Sequence, residues 1–125
     1  MEQKKFSISK RLKSFVYAFN GLIILFKEEH NARIHLIATI LVITAAVLLK
    51  LNFYEWIAVT FAIGFVISVE IINTVIENMA DFVSPTKNDK IKKIKDLSAA
   101  AVLISSMTAL TIGLIVFIPK IKMIF

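Results

Sequence analysis

Residues 97–118 read LSAAAVLISSMTALTIGLIVFI, a run of 22 residues without a charged side chain. A helix needs about 20 mainly apolar residues to cross the hydrocarbon core of a bilayer. This stretch therefore predicts a transmembrane helix, and Pro119 closes the span. Two earlier apolar runs, residues 34–50 and 57–80, predict two further transmembrane helices joined by a short turn. The fold class expected from these runs is an all-α membrane protein.

The composition of the whole chain agrees with membrane insertion. Apolar residues make up 58% of the 125 residues, and the mean hydropathy is +0.78. This length allows a single domain, residues 1–125. The net charge of +6 indicates contact with an anionic lipid surface rather than nucleic acid, because the chain is so apolar. There is no cysteine, which excludes disulfides and thiolate metal sites.

Residues 1–33 mix basic and apolar side chains. Phe15, Phe19, Leu22 and Phe26 recur at helical spacing, and the basic residues crowd the beginning of the segment. This pattern predicts an amphipathic helix that lies in the membrane interface. A helix packed against the protein's own bundle explains the pattern equally well.

The distribution of basic residues predicts the orientation in the membrane. Residues 1–33 contain seven Lys and Arg residues, and residues 81–96 contain five Lys. The turn at residues 51–56 contains none. By the positive-inside rule, the N-terminus and the second loop face the cytoplasm.

The second apolar run contains a stripe of polar side chains. At 100° per residue, one helix face carries all of its members: Glu70, Asn73, Thr74, Glu77 and Asp81. Charges at membrane depth are costly, so such residues pair, line a cavity or perform a function. In a purely structural stripe, Lys95 or Arg33 would be the counter-ions. Three like charges on one face are better explained by a bound cation, and Mg²⁺ prefers carboxylate oxygens and phosphates.

Other charged residues are expected near the same membrane surface. Glu28 and Glu29 precede the first span, and Lys95 and Asp96 precede the third. Carboxylates for a metal, Lys for phosphate and a deeper acid together predict a phosphoryl-transfer site. The three glycines are isolated, so no P-loop or dinucleotide fingerprint is present.

Three other interpretations concern residues in or beside the membrane. His30 and His35 have no metal-ligand partner in the sequence and are interpreted as interfacial residues. Intramembrane acids also occur in ion or proton transporters, although here they gather on one side. A membrane adaptor would use the polar stripe only to hold helices together.

The polar stripe also carries a resemblance to a known family. The segment from Glu70 to Asp81, EIINTVIENMAD, resembles the signature of the prokaryotic diacylglycerol kinase family, which are small trimeric lipid kinases of bacterial membranes. Lys95-Asp96 followed by Ser98 resembles the second motif of that family. The resemblance extends to residues 17–22 and 29–35 and covers almost the whole chain.

The resemblance implies a role for each matching residue. Glu70 would be the general base on the lipid hydroxyl, with Asn31 and Arg33 beside the lipid, and Glu29 and Glu77 would hold Mg²⁺. The implied ATP-binding residues are Lys10, Tyr17, Glu29, Asn73, Glu77, Asp81, Thr86, Lys87, Asn88, Lys95 and Asp96. Lys10 stands where better-known members have Arg, and Arg11 is the alternative at that position.

The resemblance also implies a substrate, an assembly and a location. The segment from Glu29 to His35, EHNARIH, looks like the Gram-positive branch, whose members prefer undecaprenol to diacylglycerol. The expected activity is therefore that of an undecaprenol kinase, with diacylglycerol kinase as the alternative. The family implies a homotrimer in the bacterial cytoplasmic membrane, with the active site on the cytoplasmic side.

Overall fold

The computed structural model describes residues 7–125, which form four helices. They are α1 (Ile8–Glu28), α2 (His30–Leu48), α3 (Phe53–Val83) and α4 (Asp89–Ile124). The last three are long and apolar enough to span a membrane, which confirms the predicted all-α membrane fold. The first six residues of the predicted interfacial segment lie outside the described residues.

The corner between α1 and α2 is formed by a single extended residue, Glu29. Arg33 stabilises this corner because its guanidinium donates hydrogen bonds to the backbone carbonyls of Phe26, at 2.7 Å, and Lys27. Carbonyls in the last turn of a helix have no partner within that helix and need such donors. In this structure Arg33 therefore caps α1 and is not a counter-ion of the polar stripe.

At the end of the turn between α2 and α3, two residues cap the start of α3 by bonding to each other's backbone. Asn52 Oδ1 accepts a hydrogen bond from the Glu55 backbone N–H, and Glu55 Oε1 accepts one from the Asn52 backbone N–H, each at 2.9 Å. This capping box satisfies two donors that the helix start leaves free. Lys50 precedes it with a φ of 54°, a left-handed conformation that is uncommon for residues other than glycine.

The helices extend beyond the apolar runs of the sequence. α4 begins at Asp89, so much of the polar stretch before the third span is already helical. It continues through Pro119 to Ile124, and the proline therefore closes the uncharged run but not the helix. Proline removes one backbone hydrogen bond, a loss that membrane-spanning helices tolerate where neighbouring groups compensate.

Packing within one chain is concentrated between α3 and α4. A buried cluster of Ala46, Leu51, Val59 and Val116 closes the end of the bundle near the α2–α3 turn. Most apolar side chains of α2 and α4 remain exposed in the single chain. These surfaces are suited to contact with lipid or with other protein chains, because exposing so large an apolar area to water is unfavourable.

Candidate active site

Glu70 is the most deeply buried ionisable side chain of the polar stripe. The residue is 1% exposed, and its Oε1 atom has no hydrogen-bond partner among residues 7–125. His35 Nε2 on α2 lies 3.2 Å from Oε1, an approach that is close but not aligned as a hydrogen bond. Burying a carboxylate with so few donors is costly. A group held at such cost is a candidate for proton transfer.

Glu29 brings a second carboxylate to the same region from the corner between α1 and α2. Its pKa is raised above the ordinary value of 4.5, first by burial and then by the negative charges of Glu77, Glu70 and Glu28. The nearby Thr74 hydroxyl acts in the opposite direction. Charges from two distant parts of the chain therefore act on one another here, as the polar stripe predicts.

The carboxylates of Glu29 and Glu77 have the chemistry that a hard divalent cation requires. No group of three or more His, Cys, Asp or Glu side chains within residues 7–125 is arranged to hold a metal alone. Mg²⁺ in kinases is typically bound by one or two carboxylates together with substrate phosphates. Glu29 and Glu77 could hold such an ion together with phosphate oxygens, and the ion would relieve the repulsion from Glu77 that, after burial, raises the pKa of Glu29.

Asn73 is fixed by a contact with α4. Its side-chain Oδ1 accepts a hydrogen bond of 2.5 Å from Ser98 Oγ, and both residues are buried. Thr74, the next residue, donates instead to the backbone carbonyl of Glu70 at 2.9 Å. The sequence placed Asn73 in the site but did not predict Ser98 as its partner.

The loop before α4 and the first two turns of α4 carry several residues of the predicted nucleotide site. Lys87, Asn88, Lys95 and Asp96 line one surface pocket, together with Lys92. Asn88 Oδ1 accepts a hydrogen bond from the backbone N–H of Ile91 at 3.0 Å and so caps α4. The cap fixes the position at which the lysine-rich turn begins.

Two ion pairs organise the same surface. Lys95 Nζ lies 2.6 Å from Asp81 Oδ1, and Lys92 Nζ lies 2.6 Å from Asp96 Oδ2. Both pairs are largely exposed, so they contribute little to stability and can exchange for other partners. Lys95 is thus held beside the carboxylates but remains able to bind a phosphate.

Other predicted site residues do not meet this group through contacts within one chain. Tyr17 is 69% exposed on α1, and Lys10 is exposed near the beginning of that helix. Asn31 is exposed in the first turn of α2. Thr86 takes part in the loop before α4, where its carbonyl accepts a hydrogen bond from Ser84 Oγ at 3.0 Å.

His35 was not assigned to the site from the sequence. One-dimensional spacing did not indicate that α2 would place its imidazole against Glu70, 35 positions further along the chain. Lys92 was also missed as the partner of Asp96. The i, i+4 spacing of that pair was a signal that could have found it.

The comparison with known families agrees with this geometry. The sequence profile described as prokaryotic diacylglycerol kinase matches residues 16–117. The chain belongs to this family. The matched range includes the Glu29 corner, the polar stripe of α3 and the start of α4, so it contains the candidate site almost in full.

Two relatives in the family are similar over most of the chain. Undecaprenol kinase from Bacillus subtilis (strain 168) is 32% identical over 113 residues, which cover 90% of this chain and 92% of that protein. Diacylglycerol kinase from Synechocystis sp. is 33% identical over 109 residues, which cover 86% of this chain and 62% of that protein.

Family membership confirms the resemblance read from residues 70–81 and decides the class of activity. The chain is a lipid kinase, and therefore a phosphotransferase that uses ATP and a lipid substrate at a membrane. Kinases of this kind work with a divalent metal ion. The transporter and adaptor interpretations of the polar stripe are set aside.

Proposed function

We propose that this protein transfers the γ-phosphate of ATP to undecaprenol and so produces undecaprenyl phosphate. The similarity to the undecaprenol kinase of Bacillus subtilis over nine tenths of the chain supports this substrate. Within this similarity, the segment from Glu29 to His35 resembles the Gram-positive branch and supports the same substrate. Diacylglycerol is the second candidate, because the Synechocystis relative is named for it.

The observation that carries the mechanism is the buried Glu70 carboxylate with its unsatisfied oxygen. In the proposed reaction, Glu70 accepts the proton of the lipid hydroxyl. The lipid oxygen then forms a bond to the γ-phosphorus, and the bond between that phosphorus and the bridging oxygen breaks. The electron pair of that bond leaves with ADP, as in other phosphoryl transfers.

Glu29 and Glu77 are the proposed ligands of Mg²⁺. The bound ion would neutralise phosphate charge during transfer. The negative charge of Glu77 supports this assignment, because after burial it is the largest cause of the raised pKa of Glu29 and would attract a cation.

The proposed nucleotide site begins beside these carboxylates and extends along the start of α4. Lys95 would leave Asp81 to bind the ATP phosphates, and Asp96, Lys87 and Asn88 would line the site. Their common pocket supports the grouping. Asn73, Asp81 and Thr86 remain proposed members of the same site.

The remaining proposed contacts concern the lipid and the assembly. Asn31 and Arg33 are proposed to lie beside the lipid headgroup, in the turn that precedes the first span. Lys10 and Tyr17 are proposed to reach ATP in a homotrimer whose sites are shared between protomers. Their exposed positions on α1, and the unburied apolar faces of α2 and α4, support such an assembly.

The proposed location is the bacterial cytoplasmic membrane, with the N-terminus and the active site on the cytoplasmic side. The basic residues before α2 and at the start of α4 support this orientation. They lie on the side of the bundle that also carries Glu29, Glu77 and Lys95.

The test is phosphate transfer from radiolabelled ATP by the purified full-length protein in mixed micelles with Mg²⁺. Undecaprenol and diacylglycerol are offered separately at equal mole fraction. We expect faster transfer to undecaprenol, and we expect Glu70→Gln to lower kcat by about 100-fold or more because the general base is lost.

Each other outcome identifies the part of the proposal that fails. Faster transfer to diacylglycerol would reverse the substrate assignment and leave the mechanism. A Glu70→Gln variant with nearly full kcat would remove Glu70 as the base. Absence of transfer to both lipids by folded parent protein would contradict the proposed substrates.

A further inference from the structure

His35 approaches Glu70 more closely than any other side chain for which a contact is described. Nε2 of His35 lies 3.2 Å from Oε1 of Glu70, and the Glu70 side chain is 2% exposed whereas that of His35 is 25% exposed. This contact joins α2 to α3 at the depth of the proposed base. It links a partly exposed side chain to a fully buried one.

The other polar groups around Glu70 are directed elsewhere. Asn73 is bonded to Ser98, and the Thr74 hydroxyl donates to the Glu70 backbone carbonyl. Glu29 contributes a negative charge and no donor. Among residues 7–125 the Oε1 atom has no hydrogen bond in this structure. A buried acceptor without a donor is unfavourable, and a small rotation of the His35 ring would satisfy it.

His35 lies at the boundary between polar and apolar surroundings. His35 lines a cavity between α2, α3 and α4 whose other walls are apolar apart from Thr39, and include Ala38, Val66 and Ala109. Its backbone carbonyl accepts a hydrogen bond from Thr39 Oγ1 at 2.7 Å. The imidazole therefore stands where the apolar interior of the bundle meets the carboxylates.

We propose that His35 is a positioning residue for the general base. The Nε2–H group donates to Oε1 of Glu70 and fixes the carboxylate so that Oε2 faces the lipid hydroxyl. In the transfer step the lipid O–H bond breaks and its proton binds Oε2, while the lipid oxygen binds the γ-phosphorus. The phosphoanhydride bond breaks and its electron pair leaves with ADP, and His35 neither gains nor loses a proton. This inference rests on the proposed role of Glu70.

Two substitutions of His35 by side chains of similar size distinguish the effect of the hydrogen-bond donor from the effect of packing. His35→Gln keeps an N–H donor at about the distance of Nε2 from the backbone, and His35→Leu fills the space without a donor. Leu is compatible with the apolar walls of the cavity, so the variant is expected to fold. His30→Leu is the matched control, because His30 is exposed in the first turn of the same helix.

The measurements are kcat and KM for lipid and for ATP in mixed micelles, with thermal unfolding of each variant in detergent. We expect His35→Leu to lower kcat by about 10-fold to 100-fold, because small misplacement of a reacting group has effects of that size. The KM for ATP should stay within twofold of the parent value. His35→Gln should recover kcat to within about threefold, and His30→Leu should match the parent.

The inference fails if His35→Leu retains kcat within twofold of the parent. It also fails if His35→Gln is as slow as His35→Leu although both variants fold, since the donor would then be irrelevant. These results differ from failure of the proposed function, which would appear as an inactive parent or an active Glu70→Gln variant.

Discussion

Ser98 and Asn73 form a buried hydrogen bond of 2.5 Å between α4 and α3. It lies between two ion pairs that join the same helices, Lys95 with Asp81 toward one end and Lys120 with Glu55 toward the other. α3 is therefore attached to α4 at three levels. Because Asn73 lies on the edge of the polar stripe, its bond fixes the rotation of α3 about its axis and so the direction in which Glu70 and Glu77 face.

Loss of the Ser98 hydroxyl should destabilise the bundle and slow the reaction. Ser98→Ala leaves the buried Asn73 oxygen without its donor. Side-chain hydrogen bonds between membrane helices contribute about 0.6–1.7 kcal/mol, and we expect a decrease of that order in the free energy of unfolding. Reversible unfolding in mixed detergent micelles measures the decrease, and lipid kinase assays measure kcat.

Ser105 supplies the control for this substitution. It is also a buried serine of α4, but its hydroxyl donates within the helix to the Val102 carbonyl at 2.9 Å. Ser105→Ala should leave the contact between α3 and α4 intact and retain kcat. Equal effects of both substitutions on kcat would show that the Asn73 contact does not orient the site.

Lys95 should be required for ATP binding more than for folding. Its ion pair with Asp81 is largely exposed and contributes little to stability, whereas a charge-assisted bond to phosphate is stronger. Lys95→Met is expected to raise the KM for ATP by about 10-fold to 100-fold, with unfolding nearly unchanged. Initial rates at varied ATP and fixed lipid measure this effect.

Lys90→Met is the matched control, since Lys90 is exposed in the same lysine-rich turn. It removes one positive charge and should leave the KM for ATP within about twofold of the parent at 0.15 M salt, where long-range charge effects are screened. A similar rise in both variants would indicate general attraction of the nucleotide and no specific role for Lys95.

The sequence predicted the helices well, because long uncharged runs have few alternatives in a bilayer. The helical spacing of Glu70 and Glu77 also predicted that they share one face of α3, whereas their roles in the site stay predictions. The contacts between helices could not be predicted in this way. The pairing of Ser98 with Asn73 and of His35 with Glu70 depends on the rotation and depth of each helix, which a single sequence does not specify. The bonds of Arg33 to the last carbonyls of α1 could not be predicted either, because the sharp corner at Glu29 contains no proline or glycine that would indicate it.

Glu29 should make the stability of the metal-free protein depend on pH in an unusual direction. Its pKa in the folded chain is raised above the ordinary value of 4.5, so between these two values the folded state binds more protons than the unfolded state. Stability should therefore increase as pH falls from neutrality through the raised pKa. Thermal unfolding without divalent cations, compared between the parent and Glu29→Gln, isolates this contribution, which the variant should lack.

The Glu29 carboxylate should also make the Mg²⁺ concentration needed for activity increase at acidic pH. Mg²⁺ binds the deprotonated carboxylate, and protons compete for it. Because the pKa of Glu29 is raised, the concentration of Mg²⁺ needed for half-maximal activity should begin to rise at a higher pH than an ordinary glutamate would cause. Glu28→Gln removes a neighbouring charge and should shift this dependence only slightly. An unchanged metal requirement in Glu29→Gln would exclude Glu29 as a ligand.

The ion pair between Lys120 and Glu55 should stabilise the fold without affecting catalysis. Lys120 Nζ lies 3.1 Å from Glu55 Oε1, and both side chains are mostly shielded from solvent. The same oxygen accepts a hydrogen bond from the Asn52 backbone N–H, so the pair joins α4 to the first turn of α3. Glu55 and Glu70 are separated by about 22 Å along α3, at 1.5 Å per residue. Lys120→Met should lower the temperature of unfolding in detergent, while kcat and both KM values stay at parent level.

Lys122→Met provides the comparison, because Lys122 is exposed two residues further along α4. Its unfolding temperature should match that of the parent. A fall in kcat for Lys120→Met in protein that remains folded at the assay temperature would contradict this separation of roles. It would mean that the attachment of α4 at its far end is transmitted to the site through the Asn73–Ser98 bond, and the double variant Lys120→Met/Ser98→Ala would then show non-additive effects on kcat.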